Sequence, residues 1–263
     1  MEQQHTLEQA SPPENARRRR RPPLGWGLKP RRVEAGVDEA GRGCLSGPVC
    51  AAAVVWPQGD SEAAERLRAD PRMSLVRDSK LLSAAQRERA REFIEQEADA
   101  YGVGWATAEE VDEVNVLRAS MRAMRRALDD LHARASAAAL PEALLIDGNR
   151  FEGYVSPATG EFVPHACIVS GDALYLSIAA ASILAKTNRD AHVTEKMHPA
   201  HPEYCWARNK GYGTPDHLAA LAEHGPCIGL HRMTFRPVES SALRTQRPKC
   251  AATTEMYLSD EKQ

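Results

Sequence analysis

The sequence predicts an α/β fold in which a mixed β-sheet is flanked by helices. Three apolar segments typical of strands come early, at residues 33–38, 49–56 and 101–106, and two more follow at 143–147 and 165–169. Strands that follow one another directly favour an antiparallel meander, whereas strands separated by helices favour parallel pairing. Both patterns occur here, so we expect a sheet that combines them.

The first two predicted helices begin with capping boxes. Ser83 and Gln86 form the capping box that opens a charged helix, which ends near residue 98. Thr107 and Glu110 form the capping box of the next helix. That second helix is expected to continue through apolar residues that share one face, namely Val111, Val114, Met121, Met124, Leu128 and Leu131.

Two further helices are predicted in the second half. One runs from about Asp172 past Lys186 and stops at Pro199. The other starts with Thr214 as N-cap before Pro215, and a glycine at position 225 ends it.

Composition limits the possible classes of protein. A chain of 263 residues with 43% hydrophobic residues can bury a sizeable core in one large domain. It shows no apolar run of membrane-spanning length and no secretory signal, and its six cysteines form no C-x-x-C pair. We therefore expect a cytoplasmic protein with reduced thiols and no membrane contact.

The charge is unevenly distributed along the chain. Residues 1–32 carry eight basic and three acidic side chains, a net charge of +5 within a total of −2. We expect a disordered basic extension at 1–32, a folded domain at 33–238 and a polar tail at 239–263. The arginine run within the extension could bind nucleic-acid phosphates, or it could be a solvated tail without function.

Acidic residues follow three of the predicted strands. Asp38 and Glu39 end the first strand, and Asp147 ends the fourth. Asp172 comes shortly after the fifth and just before a helix. Taken singly, these acids could form a solvated turn, an Asx turn and a helix N-cap. Together they occupy the edge where α/β sheets place functional groups, and clustered carboxylates suit Mg²⁺ or Mn²⁺ in phosphodiester hydrolysis.

Five ordered stretches resemble ribonuclease HII, the type 2 ribonuclease H family. They are GVDEAGRGCLSGPV, RDSKLLS, LLIDGN, GDALYLSIAAASILAKTNRD and KGYGTPDH, and the resemblance covers residues 33–238. It implies an RNase H-like fold with a C-terminal helical extension. It also implies an endonuclease, acting as a monomer, that cuts RNA–DNA hybrids and duplex DNA containing ribonucleotides. Two Mg²⁺ or Mn²⁺ ions would be held by the residues that match the family's four acids, Asp38, Glu39, Asp147 and Asp172.

The resemblance also implies residues that bind the substrate. Gly41, Arg42 and Gly43 match the motif that approaches the ribonucleotide's 2′-hydroxyl and phosphate, and Tyr212 matches the aromatic under the sugar at the RNA–DNA junction. A plain turn and a core-edge aromatic remain the alternatives. We expect three basic residues to contact a phosphate or the acid cluster, namely Lys80, Lys186 and Arg189. Lys186 and Arg189, three residues apart on one helix, could instead form an exposed basic face.

Two features depart from the family pattern. Ser170 stands where a lysine is common, and residues 227–235 differ from the usual motif by an apparent extra residue. A separate pattern, His198 and His201 with Cys205, could form a zinc site, although it lacks a second pair of ligands.

Two other functions remain open from the residues. Another RNase H-like nuclease, such as a junction resolvase, would share the acids without needing the Gly41-Arg42-Gly43 loop and Tyr212. A catalytically silent hybrid-binding protein would rely on the basic extension, but it would have no need of all four acids.

Overall fold

Five strands form one mixed sheet in the order β3-β2-β1-β4-β5. Strands β1, β4 and β5 run parallel to one another, and β1 begins its pairing with Glu34 opposite Ala143. The mixed sheet predicted from the sequence is confirmed. The strands are β1 (Glu34–Ala40), β2 (Val49–Val55), β3 (Ala100–Ala106), β4 (Ala143–Asp147) and β5 (His165–Ile168).

Nine α-helices are present in the described part of the chain. They are α1 (Glu62–Ala69), α2 (Ala84–Glu97), α3 (Ala108–Val114), α4 (Val116–Arg134), α5 (Leu176–His192), α6 (His198–Ala200), α7 (Trp206–Asn209), α8 (Pro215–His224) and α9 (Arg236–Ala242). A π-helical stretch, Val193–Met197, connects α5 to α6. None of these helices combines the length and apolar character that crossing a membrane requires.

The computed structural model describes residues 23–29 and 31–242. Within them the chain divides into two units, each treated by itself. Unit 1 comprises the described residues up to 39 together with 51–104 and 123–187. Unit 2 comprises residues 40–50, 105–122 and 188 onward. The C-terminal helices α6 to α9 all belong to unit 2, and they form the helical extension that the resemblance implied.

Capping residues start several helices where the sequence predicted them. Both capping boxes form, so the backbone N–H of Ser83 donates to Gln86 Oε1 over 2.9 Å. Thr214 caps α8, and Gly225 ends that helix with a φ of 73°. Helix α1 was not predicted, although Ser61 caps it by accepting a hydrogen bond from the Ala64 N–H over 3.1 Å.

The long helix predicted after Thr107 is interrupted at Asn115. This residue has a φ of 70°, a left-handed backbone value that an α-helix does not accommodate. Its side-chain oxygen accepts from the N–H groups of Leu117 and Arg118, 3.0 and 3.2 Å away, and so acts as the N-cap of α4. One predicted helix is therefore two, because the backbone of Asn115 is not helical and its side chain caps the second helix.

The helix expected to begin at Asp172 begins later. Residues Gly171–Ala173 form a 3-10 turn, and α5 starts at Leu176. Pro199 was also expected to end this helix. It lies instead in the first turn of the short α6, where proline is tolerated.

Gly36 brings helix α5 directly against strand β1 in unit 1. A Cβ at this position would lie 2.2 Å from the backbone carbon of Ser177 and 2.3 Å from the nitrogen of Ile178. No side chain fits such a gap, so the glycine permits contact between two backbones. Strand β1 carries Asp38, and Asp172 comes shortly before α5, so this contact fixes how closely their two elements approach.

The start of the described chain packs along unit 1. The Gly25 N–H donates to the Leu174 carbonyl over 2.8 Å, and the Leu176 N–H donates to the Gly25 carbonyl over 2.9 Å. The Trp26 indole N–H donates to the Pro57 carbonyl over 2.6 Å. Residues 23–29 thus make specific contacts inside the segment that the sequence assigned to a disordered extension, while 1–22 lie outside the described residues.

Candidate active site

The predicted acids lie at or near the carboxyl ends of the parallel strands in unit 1, along one edge of the sheet. Val37 pairs with Ile146, so Asp38 and Asp147 follow at adjoining strand ends. Asp147 in turn pairs with Ile168, the last residue of β5. Asp38 and Asp172 are buried, whereas Glu39 and Asp147 are half-buried. The arrangement follows from three apolar strands that each end in or near a carboxylate.

Asp38 is a buried carboxyl group held by local donors. Its Oδ1 accepts the backbone N–H of Glu39 over 2.7 Å, and the Ser182 hydroxyl also donates to it. Ser182 lies 3.0 Å from the hydroxyl of Ser79. Burial raises the pKa of Asp38 well above its ordinary value, and the charges of Glu39 and Asp147 raise it further.

Asp147 connects the sheet edge to the segment that carries Asp172. Its Oδ1 accepts the backbone N–H of Gly171 over 2.7 Å, and the N–H of Asp172 also donates to the side chain. These contacts reach about 24 residues along the chain, so they are not a local Asx turn. Burial raises the pKa of Asp147 and the charge of Asp172 adds to this, while Lys80 acts in the opposite direction.

Asp172 is held in a 3-10 turn rather than at the N-cap of α5, so the helix-cap alternative is wrong. Lys80 places its Nζ 3.8 Å from Asp172 Oδ2, while 83% of its side-chain surface stays exposed. Lys80 therefore forms an ion pair with Asp172, and its exposure leaves it accessible to a phosphate.

The donor set of this cluster fits divalent cations. Hard carboxylate oxygens are the ligands that Mg²⁺ and Mn²⁺ prefer. Burial and, to a smaller extent, repulsion between neighbouring carboxylates raise the pKa of Asp38 and of Asp147, and a bound cation would relieve that repulsion. In residues 23–29 and 31–242, however, no three histidine, cysteine or acidic side chains form a preformed ligand set, so these acids would have to draw closer together to share an ion. The zinc site considered at His198, His201 and Cys205 is therefore not present among these residues.

The Gly41-Arg42-Gly43 loop belongs to unit 2. Gly41 has a φ of 96°, and a Cβ there would lie 2.1 Å from Arg189 Nε. Gly41 is therefore required by its backbone conformation and by a close protein neighbour. Gly43 has open space around its Cα, and Arg42 is exposed at the tip of the loop.

Arg189 does not have the phosphate-binding or acid-pairing role that the sequence predicted. It is fully buried, and its guanidinium donates to the carbonyls of Pro48, Ser46 and Lys210 over 2.8, 2.9 and 2.8 Å. A side chain committed to three backbone carbonyls cannot also bind a phosphate, so the predicted role is corrected. Lys186, its neighbour on α5, is half-buried in unit 1.

A second buried arginine supports the same loop. Arg232, also 0% exposed, donates to the Gly47 carbonyl from Nε and Nη2 and to the Arg42 carbonyl from Nη1, over 2.9 to 3.1 Å. It lies in the segment 227–235 that departs from the family pattern. That segment is therefore part of the support of the loop.

Tyr212 is 39% exposed in unit 2. Partial burial of the side chain raises the pKa of the Tyr212 phenol, and the neighbouring Cys44 raises it further. The positive charge of Arg189 lowers the same pKa. The preceding Gly211 has a φ of 82°, and its N–H donates to Asn209 Oδ1 over 2.8 Å. An aromatic that is anchored on one side and open on the other is suited to stacking.

Sequence reasoning missed the residues behind this site. Ser182 is a hydroxyl within a run of small apolar residues on α5, and such a residue must find a buried partner. Arg232 gave no comparable signal, because a single arginine near a loop is usually exposed.

The chain resembles known proteins over most of its length. A profile of the family described as Ribonuclease HII matches residues 35–238. Ribonuclease HII of Bacteroides thetaiotaomicron is 50% identical over 203 residues, which cover 77% of this chain and 89% of that protein. The chain belongs to the ribonuclease HII family. As a member it is a ribonuclease H, an endonuclease that hydrolyses RNA in RNA–DNA hybrids, rather than a junction resolvase.

Solved structures agree with this assignment. The ribonuclease H2 of Pyrococcus horikoshii OT3 is 27% identical, with a TM-score of 0.61 over 80% of this chain and 97% of that one. The structure of Bst-RNase HIII in complex with Mn²⁺ is 18% identical, with a TM-score of 0.59 over 84% and 72% of the two chains, and shares the fold. The RNase H-like fold implied by the sequence is confirmed.

Proposed function

We propose that this ribonuclease HII incises duplex DNA on the 5′ side of a single embedded ribonucleotide as well as cutting RNA–DNA hybrids. The products would carry a 3′-hydroxyl and a 5′-phosphate. The observation that carries the proposal is the meeting of Asp38, Asp147 and Asp172 at one sheet edge in a chain of this family. The exposed face of Tyr212 adds a second element, which would contact a deoxyribose.

Asp38, Glu39, Asp147 and Asp172 would hold two divalent ions, Mg²⁺ or Mn²⁺. Bound ions would supply an activated water and stabilise the leaving 3′ oxygen. The protein's own contribution is orientation, because Ser182 and the Gly171 N–H hold two of the carboxylates by hydrogen bonds. Lys80 adds a positive charge beside Asp172, where it would attract the scissile phosphate.

Arg42 and the flanking glycines would read the ribonucleotide. An exposed arginine on a loop whose carbonyls are held by buried guanidinium groups can reach a phosphate without moving the backbone. Gly43 has open space at its Cα, so a 2′-hydroxyl could approach the backbone there.

The basic extension would add phosphate contacts near the cut. Gly25 is bonded to Leu174 and Leu176, two and four residues after Asp172, so the described chain begins beside the segment that carries this acid. Phosphate contacts by the extension would strengthen binding without selecting a sequence.

The metal assignment is tested with Asp147→Asn. The variant should lose cleavage of both substrates by more than about 1000-fold while retaining most duplex binding, because affinity comes mainly from phosphate contacts. Asp129→Asn is the matched control, since Asp129 bonds the Tyr154 hydroxyl outside the acid cluster. Near wild-type cleavage by Asp147→Asn with Mg²⁺ would refute the assignment.

Junction recognition is tested with Tyr212→Ala on two labelled duplexes. Cleavage at a single ribonucleotide should fall about 10-fold more than cleavage of a long hybrid, where several 2′-hydroxyls compensate. Leu218→Ala is the control, because Leu218 is 41% exposed in the same unit. An equal loss on both substrates would remove Tyr212 from junction recognition. Failure of the wild-type enzyme on the first duplex would overturn the proposal.

A further inference from the structure

Two buried histidines lie behind Tyr212 in unit 2. His217 and His231 are both 0% exposed, and their Nε2 atoms are 3.1 Å apart. His217 Nδ1 lies 2.9 Å from the Tyr212 carbonyl. His217 is thus a direct hydrogen-bond neighbour of the Tyr212 backbone, and it belongs to α8 rather than to the loop itself.

The partners of the pair fix where each proton resides. The Cys227 backbone N–H can only donate, and it points to His231 Nδ1 over 2.9 Å, so the proton of a neutral His231 is on Nε2. That Nε2–H and the Trp206 indole N–H, 3.2 Å away, both point to His217 Nε2. His217 Nε2 is therefore an acceptor, and its own proton is on Nδ1, directed at the Tyr212 carbonyl.

The surroundings keep both rings neutral. Burial lowers the pKa of His231 to about 3, and the neighbouring His217 contributes to this. Burial also lowers the pKa of His217. The two neutral rings form one directed chain of hydrogen bonds from Cys227 to Tyr212.

We propose that His217 is a positioning residue for Tyr212: its Nδ1–H, oriented by His231, holds the backbone from which the aromatic ring reads the sugar at the junction. The inference rests on the proposed function, because it concerns substrate selection by Tyr212. A second bond, from the Thr214 N–H to the same carbonyl over 2.8 Å, fixes only the local turn. His217 instead ties that turn to the buried core around Trp206.

Two substitutions of His217 separate positioning from core packing. In His217→Asn the amide nitrogen takes the place of Nδ1 and can still donate to Tyr212, but His231 and Trp206 lose their acceptor. In His217→Gln the amide takes the place of Nε2, so the core bonds survive and the bond to Tyr212 is lost. The two variants therefore keep opposite halves of the network.

The test measures thermal stability and the ratio of kcat/KM for a single-ribonucleotide duplex to that for an RNA–DNA hybrid. We expect His217→Gln to be the more stable variant and yet to lose about 10-fold in this ratio, as Tyr212→Ala does. We expect His217→Asn to be less stable but to remain within about 3-fold of the wild-type ratio. The double variant with Tyr212→Ala and His217→Gln should lose no more than Tyr212→Ala alone, because both act through one residue.

Trp206→Phe is the matched control, since it removes the indole donor to His217 but leaves the bond to Tyr212. Its ratio should not change. A ratio that follows stability, an unchanged ratio in both His217 variants, or two unfolded variants would each overturn the positioning role. Those results leave the proposed function intact, because wild-type cleavage and Tyr212→Ala test it separately.

Discussion

Replacing the buried Arg189 by leucine should be among the most destabilising single changes in unit 2. The side chain is 0% exposed and donates to three carbonyls over 2.8 to 2.9 Å. Charged hydrogen bonds contribute about 1.5–3 kcal/mol each, but removing the guanidinium also removes the cost of burying its charge. Leucine would leave three buried carbonyls without this donor, at about 1–3 kcal/mol each, and after the offset from the buried charge we expect a net loss of about 3–5 kcal/mol.

The loss is large relative to the total free energy of unfolding, which is about 5–15 kcal/mol for a typical domain. For a protein of this size it corresponds to a decrease in Tm of about 6–20 °C. Differential scanning fluorimetry and urea unfolding would measure it. Arg189→Lys should be intermediate, because one ammonium group cannot reach all three carbonyls with the geometry of a guanidinium.

Arg208→Leu is the control for this experiment. Arg208 is also in unit 2, but 71% of its side-chain surface is exposed and it pairs with Asp216 at the surface. Such exposed pairs contribute about 0–1 kcal/mol. If Arg189→Leu lost less than about 1 kcal/mol, the reasoning that the guanidinium holds the loop would be refuted.

Three further predictions concern the acid cluster and the extension. Asp38→Asn should abolish cleavage yet raise Tm by about 1–8 °C at pH 8 in EDTA, since removing an unfavourable buried charge typically gains about 0.5–2 kcal/mol. Its folded-state pKa is raised, so the carboxyl favours folding only at acidic pH, and the gain in Tm should vanish towards pH 4; a lower Tm at pH 8 would contradict this. Deleting residues 1–22 should make the slope of log Kd against log salt shallower by about 0.9 for each phosphate that an arginine of the extension neutralises, and an unchanged slope would leave the arginine run a solvated tail. Lys80→Gln should lower kcat/KM about 10-fold on both substrates with no change in Tm, whereas an unchanged kcat/KM would remove Lys80 from the site.

The acid cluster could be predicted from sequence because each acid follows an apolar strand. Parallel strands place such residues at one edge, and the register of β1, β4 and β5 brings Asp38 and Asp147 to adjoining strand ends. The capping boxes could also be predicted from the sequence, since each depends on two residues only three positions apart.

Residues whose role depends on distant partners could not be predicted. Arg189 looked like a phosphate ligand, because nothing in the sequence shows that carbonyls at positions 46, 48 and 210 surround it. The break at Asn115 was hidden by an apolar pattern that continues across it. His217 gave no signal either, since its partner His231 comes 14 residues later in a segment with an unusual sequence.

Gly36 shows that a residue can be essential without any chemical group. A side chain there would separate α5 from β1, and Ser182 on the helix would then be drawn away from Asp38 on the strand. In a survey of all single substitutions, position 36 should therefore tolerate as few residues as the acids themselves.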